Sequence, residues 1–308
     1  IDFGTTNTHI EYNVDGGSSK SFDITEKDLQ LSFLSKYERE RKEVFYSDFI
    51  PEVIGSVDSE FKFPIRTVLS EANGVNWNNA IYPFVQANIP LTYEKKVQFR
   101  YNKISSNLKW SNDKNNISQV KCYIESLMLL LRNKVLLNEG DLTNTKIVWF
   151  YPISMTNARF NDVKLVWVEA YKKYFDANYD DNNANVKKVI PMTESVAPYK
   201  YYNANTAAAA NMITIDIGGE TTDVVIAENN SIKSITSFRF AANSVFGDGY
   251  TGVDSPQNGI VRQFKSSIYE VLKDNEMNDL TNIFNTLDEK NISADIASFL
   301  FSLVENQS

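Results

Sequence analysis

One short device occurs twice in this 308-residue chain, and it narrows the possible folds more than any other feature. Ile1-Asp2-Phe3-Gly4-Thr5-Thr6 opens the chain, and Ile215-Asp216-Ile217-Gly218-Gly219-Glu220-Thr221-Thr222-Asp223 returns to the same pattern. Each copy is an apolar-alternating strand that delivers an aspartate, then a glycine-containing hairpin turn, then hydroxyl residues and another strand. A glycine turn lets backbone N–H groups approach anionic oxygens and form an anion-binding nest, to which threonine hydroxyls add donors. Asp2, Asp216 and Asp223 would repel a bare phosphate. They make sense around a hard cation such as Mg²⁺ that retains several of its waters. One such hairpin is an ordinary β-turn, but two copies separated by helices and strands argue for a shared phosphate site.

The sequence between and around the copies predicts an α/β protein. Asp15-Gly16-Gly17 marks a hairpin turn, with Lys20 to Ile24 as the returning strand. Residues 26 to about 110 mix a charged stretch, aromatics and prolines, and read as an irregular α+β insertion. Val120, Ile124, Leu127, Leu131 and Val135 keep the 3.6-residue period of a core-facing helix. Lys146 to Ile153 reads as a buried strand, and Phe160 to Tyr174 as a second amphipathic helix. Val186 to Ile190 is a short strand, and Glu194 to Tyr202 a helix in which Pro198 demands a kink or a late start. From Asn211 a β-meander runs to Phe240, and the chain beyond about Ile260 is mostly helical.

Composition removes several classes of function. Cys122 and His9 are the single cysteine and histidine, so no internal disulfide and no Cys/His zinc site can form. The 31 basic against 39 acidic residues, a net charge of −8, argue against nucleic acid as the main partner. No apolar run is long enough for a membrane span, and the expected setting is the cytoplasm. Gly17-Ser18-Ser19-Lys20-Ser21 lacks the earlier glycine of a P-loop and reads as a hairpin turn.

Asp2-Phe3-Gly4-Thr5-Thr6-Asn7-Thr8 resembles the first phosphate motif of Hsp70-type and actin-like ATPases, and Asp216 to Asp223 resembles their second. Val148 to Pro152 with the Arg159 helix resembles the strand and helix that Hsp70 proteins carry between them. Thr193-Glu194-Ser195-Val196-Ala197 resembles the connecting helix whose glutamate faces the active site. Order and spacing agree over residues 1–14 and 118–250, which places the likeness in the actin/Hsp70/sugar-kinase superfamily.

The resemblance implies two RNase-H-like domains, residues 1–210 and 211–308, flanking a cleft with Mg·ATP at its base. It implies phosphate and nucleotide contacts from Gly4, Thr5, Thr6, Asn7, Gly218, Gly219, Thr221 and Thr222, with Gly247 in a turn near the nucleotide sugar. Asp2, Asp216 and Asp223 would hold the metal shell, and Glu194 and Asp216 would orient the attacking water. Lys109 precedes the long helix much as the catalytic lysine of Hsp70 proteins precedes theirs, with Arg66 as a rival cation. The expected function is slow Mg²⁺-dependent ATP hydrolysis coupled to cleft opening and closing, with a protein client or self-association. An actin-like filament ATPase and a nucleotide-binding scaffold without turnover are the alternatives. A small-molecule kinase would need a catalytic aspartate at a sugar wall, and none is identifiable.

Two departures stand out. Glu220 replaces a third glycine common in Hsp70 proteins and puts a carboxylate beside the phosphate loop. No glycine follows Gly259, so the expected adenine-binding turn near the C-terminal end is missing, and the chain reads as incomplete at both ends.

Overall fold

The computed structural model describes residues 1–31, 53–55, 61–72, 81–82, 102–105, 107–110, 116–183, 186–205, 211–246, 259–289, 296 and 299–300. The opening segment forms β1 (Asp2–Phe3) and β2 (Asn7–His9), then a second hairpin of β3 (Glu11–Tyr12) and β4 (Lys20–Ser21). The expected Asp15-Gly16-Gly17 turn closes that hairpin: Gly16 takes φ +75° and the Gly17 N–H donates to Val14 O at 2.9 Å.

The described parts of the region after Asp23 hold a 3-10 turn at Glu26–Asp28 and short strands: β5 (Asp23–Ile24), β6 (Gln30–Leu31), β7 (Val53–Ile54), β8 (Phe61–Lys62), β9 (Ile65–Arg66), β10 (Leu69–Ala72), β11 (Ile81–Tyr82) and β12 (Asn102–Ser105). Most of the region expected to be an insertion, including the Lys36 to Glu43 charge run, lies outside the described residues.

Helix α1 (Asn116–Leu137) leads into β13 (Ile147–Tyr151), α2 (Asn157–Tyr174), β14 (Val189–Thr193) and α3 (Val196–Asn205). The late start of α3 places Pro198 in its first turn, where its missing N–H leaves no intrahelical bond unmade. Thr156 caps α2 by accepting the Arg159 N–H. Strands β13 and β14 are parallel, with Trp149 opposite Pro191, and β9, β2 and β1 form an antiparallel set. Ile1 joins the two groups, because its amino group donates to Val148 O and its carbonyl accepts from the Phe150 N–H. This alternation is the ladder of parallel strands, so β1, β13 and β14 all run the same way.

One core fills the space between this sheet and helices α1 and α2. Phe3, Tyr123, Leu127, Trp149, Val163, Trp167 and Tyr171 are buried in it. Trp149 and Trp167 stack with ring centroids 5.8 Å apart. The period-3.6 apolar residues of α1 therefore pack as the sequence predicts.

Strands β15 (Asn211–Ile217), β16 (Thr222–Glu228) and β17 (Ser231–Phe238) form a separate antiparallel sheet in meander order. Val225 and Ala227 pack there with Tyr199 of α3. The other face carries Ile213, Ile215 and Ile217, which are 61–65% exposed. A short helix α4 (Ala242–Phe246) follows, then α5 (Ile260–Asp274) and α6 (Asn278–Glu289), whose Leu272, Phe284 and Leu287 form a small core of their own. Among the described residues, no helix is long and apolar enough to cross a membrane.

Candidate functional site

The two copies of the sequence device are hairpins of one design. In the first, Asp2 pairs with His9 and Phe3 with Thr8; in the second, Asp216 pairs with Asp223 and Ile217 with Thr222. The turns are therefore Gly4 to Asn7 and Gly218 to Thr221. In each, the leading glycine lies over the carbonyl of the turn's last residue. A Cβ on Gly4 would meet Asn7 O at 2.3 Å, and one on Gly218 would meet Thr221 O at 3.3 Å.

The turns also meet each other. A Cβ added to Gly219 would stand 2.5 Å from Thr6 Oγ1 and 3.5 Å from Thr5 Cβ. Two motifs more than two hundred residues apart in sequence thus touch at their tips, although they belong to different sheets.

Each turn is pinned from behind. The Thr67 N–H donates to Thr6 O at 2.8 Å, and the Thr8 and Thr67 hydroxyls bond to one another at 2.9 Å, with Tyr123 OH donating to Thr8 Oγ1 at 3.0 Å. On the second turn, the Ala242 and Asn243 N–H groups at the start of α4 donate to Gly218 O and Gly219 O at 3.1 and 2.8 Å. Thr222 donates its hydroxyl to Phe240 O at 2.6 Å and so helps to hold the turn, and Thr221 is buried, 5% exposed. The expected hydroxyl donation toward a ligand from Thr222 gives way to this local bond.

The carboxylates come together as the parallel strands dictate. β1 and β14 run in the same direction, so their carboxyl ends deliver the first turn and Glu194 to one edge of the sheet. That edge is where open α/β sheets place their ligands. The Glu194 N–H donates to Tyr151 O at 3.0 Å, which fixes the backbone at this point. Ser195 donates its hydroxyl to buried Asp223 Oδ1 at 2.8 Å, tying the start of α3 to the second hairpin. Burial is the main cause that raises the Glu194 pKa to about 7, and the negative charges of Asp2 and Asp223 add to it against the pull of Lys109. Asp216 is raised as well, first by burial and then by Asp223 and Asp2. Asp2, Glu194, Asp216 and Asp223 therefore share one electrostatic environment.

Lys109 enters this cluster from the segment before α1. Its Nζ lies 2.5 Å from Glu194 Oε1, with the lysine side chain 3% exposed, and 5.9 Å from the centre of the Phe3 ring. Arg159 of α2 holds that segment in place: its guanidinium donates to Leu108 O at 2.9 Å, to Lys109 O at 3.2 Å and to Asn116 Oδ1. Arg66, the rival cation, stands on β9 opposite Asn7, where burial lowers its pKa to about 10.

Sequence reasoning passed over Trp110 and Arg239. The Trp110 Nε1–H donates to Thr5 Oγ1 at 3.1 Å. Arg239 lies over the Trp110 ring, 4.8 Å from its centre, and pairs with Glu220 at 3.4 Å. Trp110 adjoins a residue already singled out, whereas nothing in the sequence around Arg239 marks it. Gly247 lies outside the described residues.

Among the described residues, no three His, Cys, Asp or Glu side chains lie close enough to hold a metal ion directly. Asp2, Glu194, Asp216 and Asp223 are all oxygen donors within one field, the ligand chemistry that a hard ion such as Mg²⁺ takes.

No protein-family model and no curated protein sequence matches the chain. Among solved structures it is similar to MreB5 of Spiroplasma citri bound to ADP, at 16% identity and a TM-score of 0.38, over 62% of this chain and 49% of that one. It is also similar to the ethanolamine utilization protein EutJ from Carboxydothermus hydrogenoformans, at 14% identity and a TM-score of 0.30, over 46% and 43% of the two chains. A third is the Aquifex aeolicus Ppx/GppA phosphatase, at 10% identity and a TM-score of 0.29, over 56% and 53%. The chain thus spans about half the length of the solved structures it resembles.

Proposed function

We propose that this chain binds ATP with Mg²⁺ at the facing turns, between a first half ending near residue 210 and a second half beginning near 211, as an ATPase of the actin and Hsp70 type. The observation that carries this reading is the tip-to-tip contact of Gly219 with Thr6, beside the shared cluster of Asp2, Glu194, Asp216 and Asp223. Two glycine turns offer backbone donors to a phosphate chain from opposite sides. The carboxylates supply the outer shell for the ion that neutralises it.

In this reading the Gly4 to Asn7 and Gly218 to Thr221 turns grip the phosphates, and Asp2, Asp216 and Asp223 bind waters of the metal. A bound Mg²⁺ supplies charge neutralisation for the terminal phosphate. Glu194, with its pKa raised to about 7, is placed to accept a proton from an attacking water once it is released from Lys109. Opening the cleft separates Gly219 from Thr6, and closing it restores their contact. Cleft motion is therefore linked to what lies between the turns.

One observation favours a second reading, a nucleotide-binding scaffold without turnover. Lys109 and Glu194 are committed to each other at 2.5 Å. The two readings separate in a single experiment. Full-length protein is titrated with Mg·ATP while thermal stability and phosphate release are followed. Both readings require a stability gain with Mg·ATP, since a ligand bound by the native state alone stabilises it. Both also require Asp216→Ala to weaken the Mg²⁺-dependent part. Release of phosphate selects the ATPase, and its absence selects the scaffold. No shift at millimolar Mg·ATP defeats both, and ATP-dependent sedimentation would identify a filament former.

A further inference from the structure

The carboxylate cluster leaves the site short of positive charge where a phosphate would sit. Lys109 is sealed beneath it, 3% exposed and paired with Glu194. Arg159 is occupied by the carbonyls of Leu108 and Lys109 and by Asn116. Arg239 differs from both. Its side chain is 46% exposed, and its partner Glu220 stands 3.4 Å away, at the long end of an ion pair. Its place follows from register: Phe238 lies opposite Thr222, so the next residue is level with the Gly218 to Thr221 turn.

The contacts of Arg239 span both turns. Glu220 belongs to the second turn. Trp110, whose ring lies 4.8 Å from the guanidinium carbon, is bonded through its indole N–H to Thr5 of the first turn at 3.1 Å. Glu220, Arg239, Trp110 and Thr5 thus form one chain of contacts across the two motifs. A guanidinium over an indole ring is attracted to its face, and a planar guanidinium matches phosphate oxygens through two parallel bonds.

We propose that Arg239 is the phosphate-binding cation of this site, and that Glu220 occupies it until the phosphate of a nucleotide takes its place. The inference rests on the nucleotide-binding reading above and names the residue that recognises the phosphate. A half-exposed Arg–carboxylate pair with one long contact is weak. A phosphate group offers more charge and a better-matched pair of acceptors. Once the phosphate is bound, repulsion drives the Glu220 carboxylate outward. This gives a role to the glutamate that stands where a third glycine was expected: it keeps Arg239 poised over Trp110 in the absence of ligand.

The test is calorimetric titration of full-length wild type, R239Q, E220Q and the double variant with Mg·ATP and, separately, with adenosine. R239Q is expected to weaken Mg·ATP binding about tenfold or more, the scale of one lost charge-assisted contact, and to leave adenosine binding unchanged. E220Q is expected to tighten Mg·ATP binding about threefold by removing the competing carboxylate, a gain that misfolding cannot produce. In the double variant that gain should vanish, because there is no Arg239 left to release. Mg·ATP should also change tryptophan emission in wild type and not in W110F.

If R239Q binds Mg·ATP as tightly as wild type, the inference is overturned while the nucleotide site stands. If the E220Q gain is absent, or survives in the double variant, the exchange is overturned. If wild type binds no Mg·ATP, both the inference and the function beneath it are wrong.

Discussion

Lys109 Nζ and Glu194 Oε1 are 2.5 Å apart, and their side chains are 3% and 15% exposed. Eighty-five residues of sequence separate them, and the Arg159 clamp on the carbonyls of Leu108 and Lys109 holds one in reach of the other. Breaking a buried pair strands a charge. Lys109→Met should therefore destabilise the protein by about 3–5 kcal/mol, and Lys109→Met with Glu194→Gln should recover much of that loss. Urea unfolding of the single and double variants measures it. Equal stability of Lys109→Met and wild type would show that the pair does not exist in solution.

The raised pKa of Glu194 sets a pH dependence with a definite sign. Its carboxyl moves from an ordinary 4.5 in the unfolded chain to about 7 in the fold, with burial as the largest cause. Between those values the native state binds the extra proton, so the contribution to stability is full below about 4.5 and is lost as pH rises through 7. Asp216, raised for similar reasons, adds to the same slope from its own lower starting point. The expected loss from Glu194 is roughly 2–3 kcal/mol across the window. Glu194→Gln should flatten that part of the curve, as followed by denaturant midpoints at successive pH values.

The leading glycines of the two turns respond differently to a methyl group. On Gly4 it would meet the Asn7 carbonyl oxygen at 2.3 Å, a backbone atom that cannot rotate aside. Gly4→Ala should cost about 1–3 kcal/mol through forced backbone movement. On Gly218 the equivalent contact is 3.3 Å, which a small adjustment relieves, so Gly218→Ala should cost less than about 1 kcal/mol. Chemical denaturation ranks the two. The reverse order would mean that the hairpins are not built as described.

Ser195→Ala removes a hydroxyl that donates at 2.8 Å to an aspartate only 3% exposed. The Asp223 carboxylate would keep its burial and lose a donor, which costs about 1–3 kcal/mol. Ser195→Thr keeps the hydroxyl and should retain most of the stability. Thermal melts of the two variants distinguish the bond from the space it fills.

Local chemistry makes much of the fold legible in the sequence. The apolar period of α1 and α2, the buried run of β13, the glycine turn between β3 and β4 and the meander of β15 to β17 each arise from neighbours along the chain. They are expressed through one hydrophobic stripe, one alternation or one permissive backbone. The repeated aspartate and glycine device is recognisable for the same reason, since a hairpin's register is set within its own residues.

What the sequence could not show was which distant side chains would meet. Parallel packing of β1 beside β13 and β14 brings Asp2 and Glu194 to one edge, and the second hairpin adds Asp216 and Asp223. The Arg159 clamp brings Lys109, expected from the resemblance as the catalytic lysine, beside Glu194 as its buried partner. The β16–β17 register brings Arg239 beside Glu220, and the approach of the two sheets lays it over Trp110. Strand alternation tells which residues share a face of one strand. Only the packing of sheets and helices, driven by burial of the apolar faces, decides what that face meets.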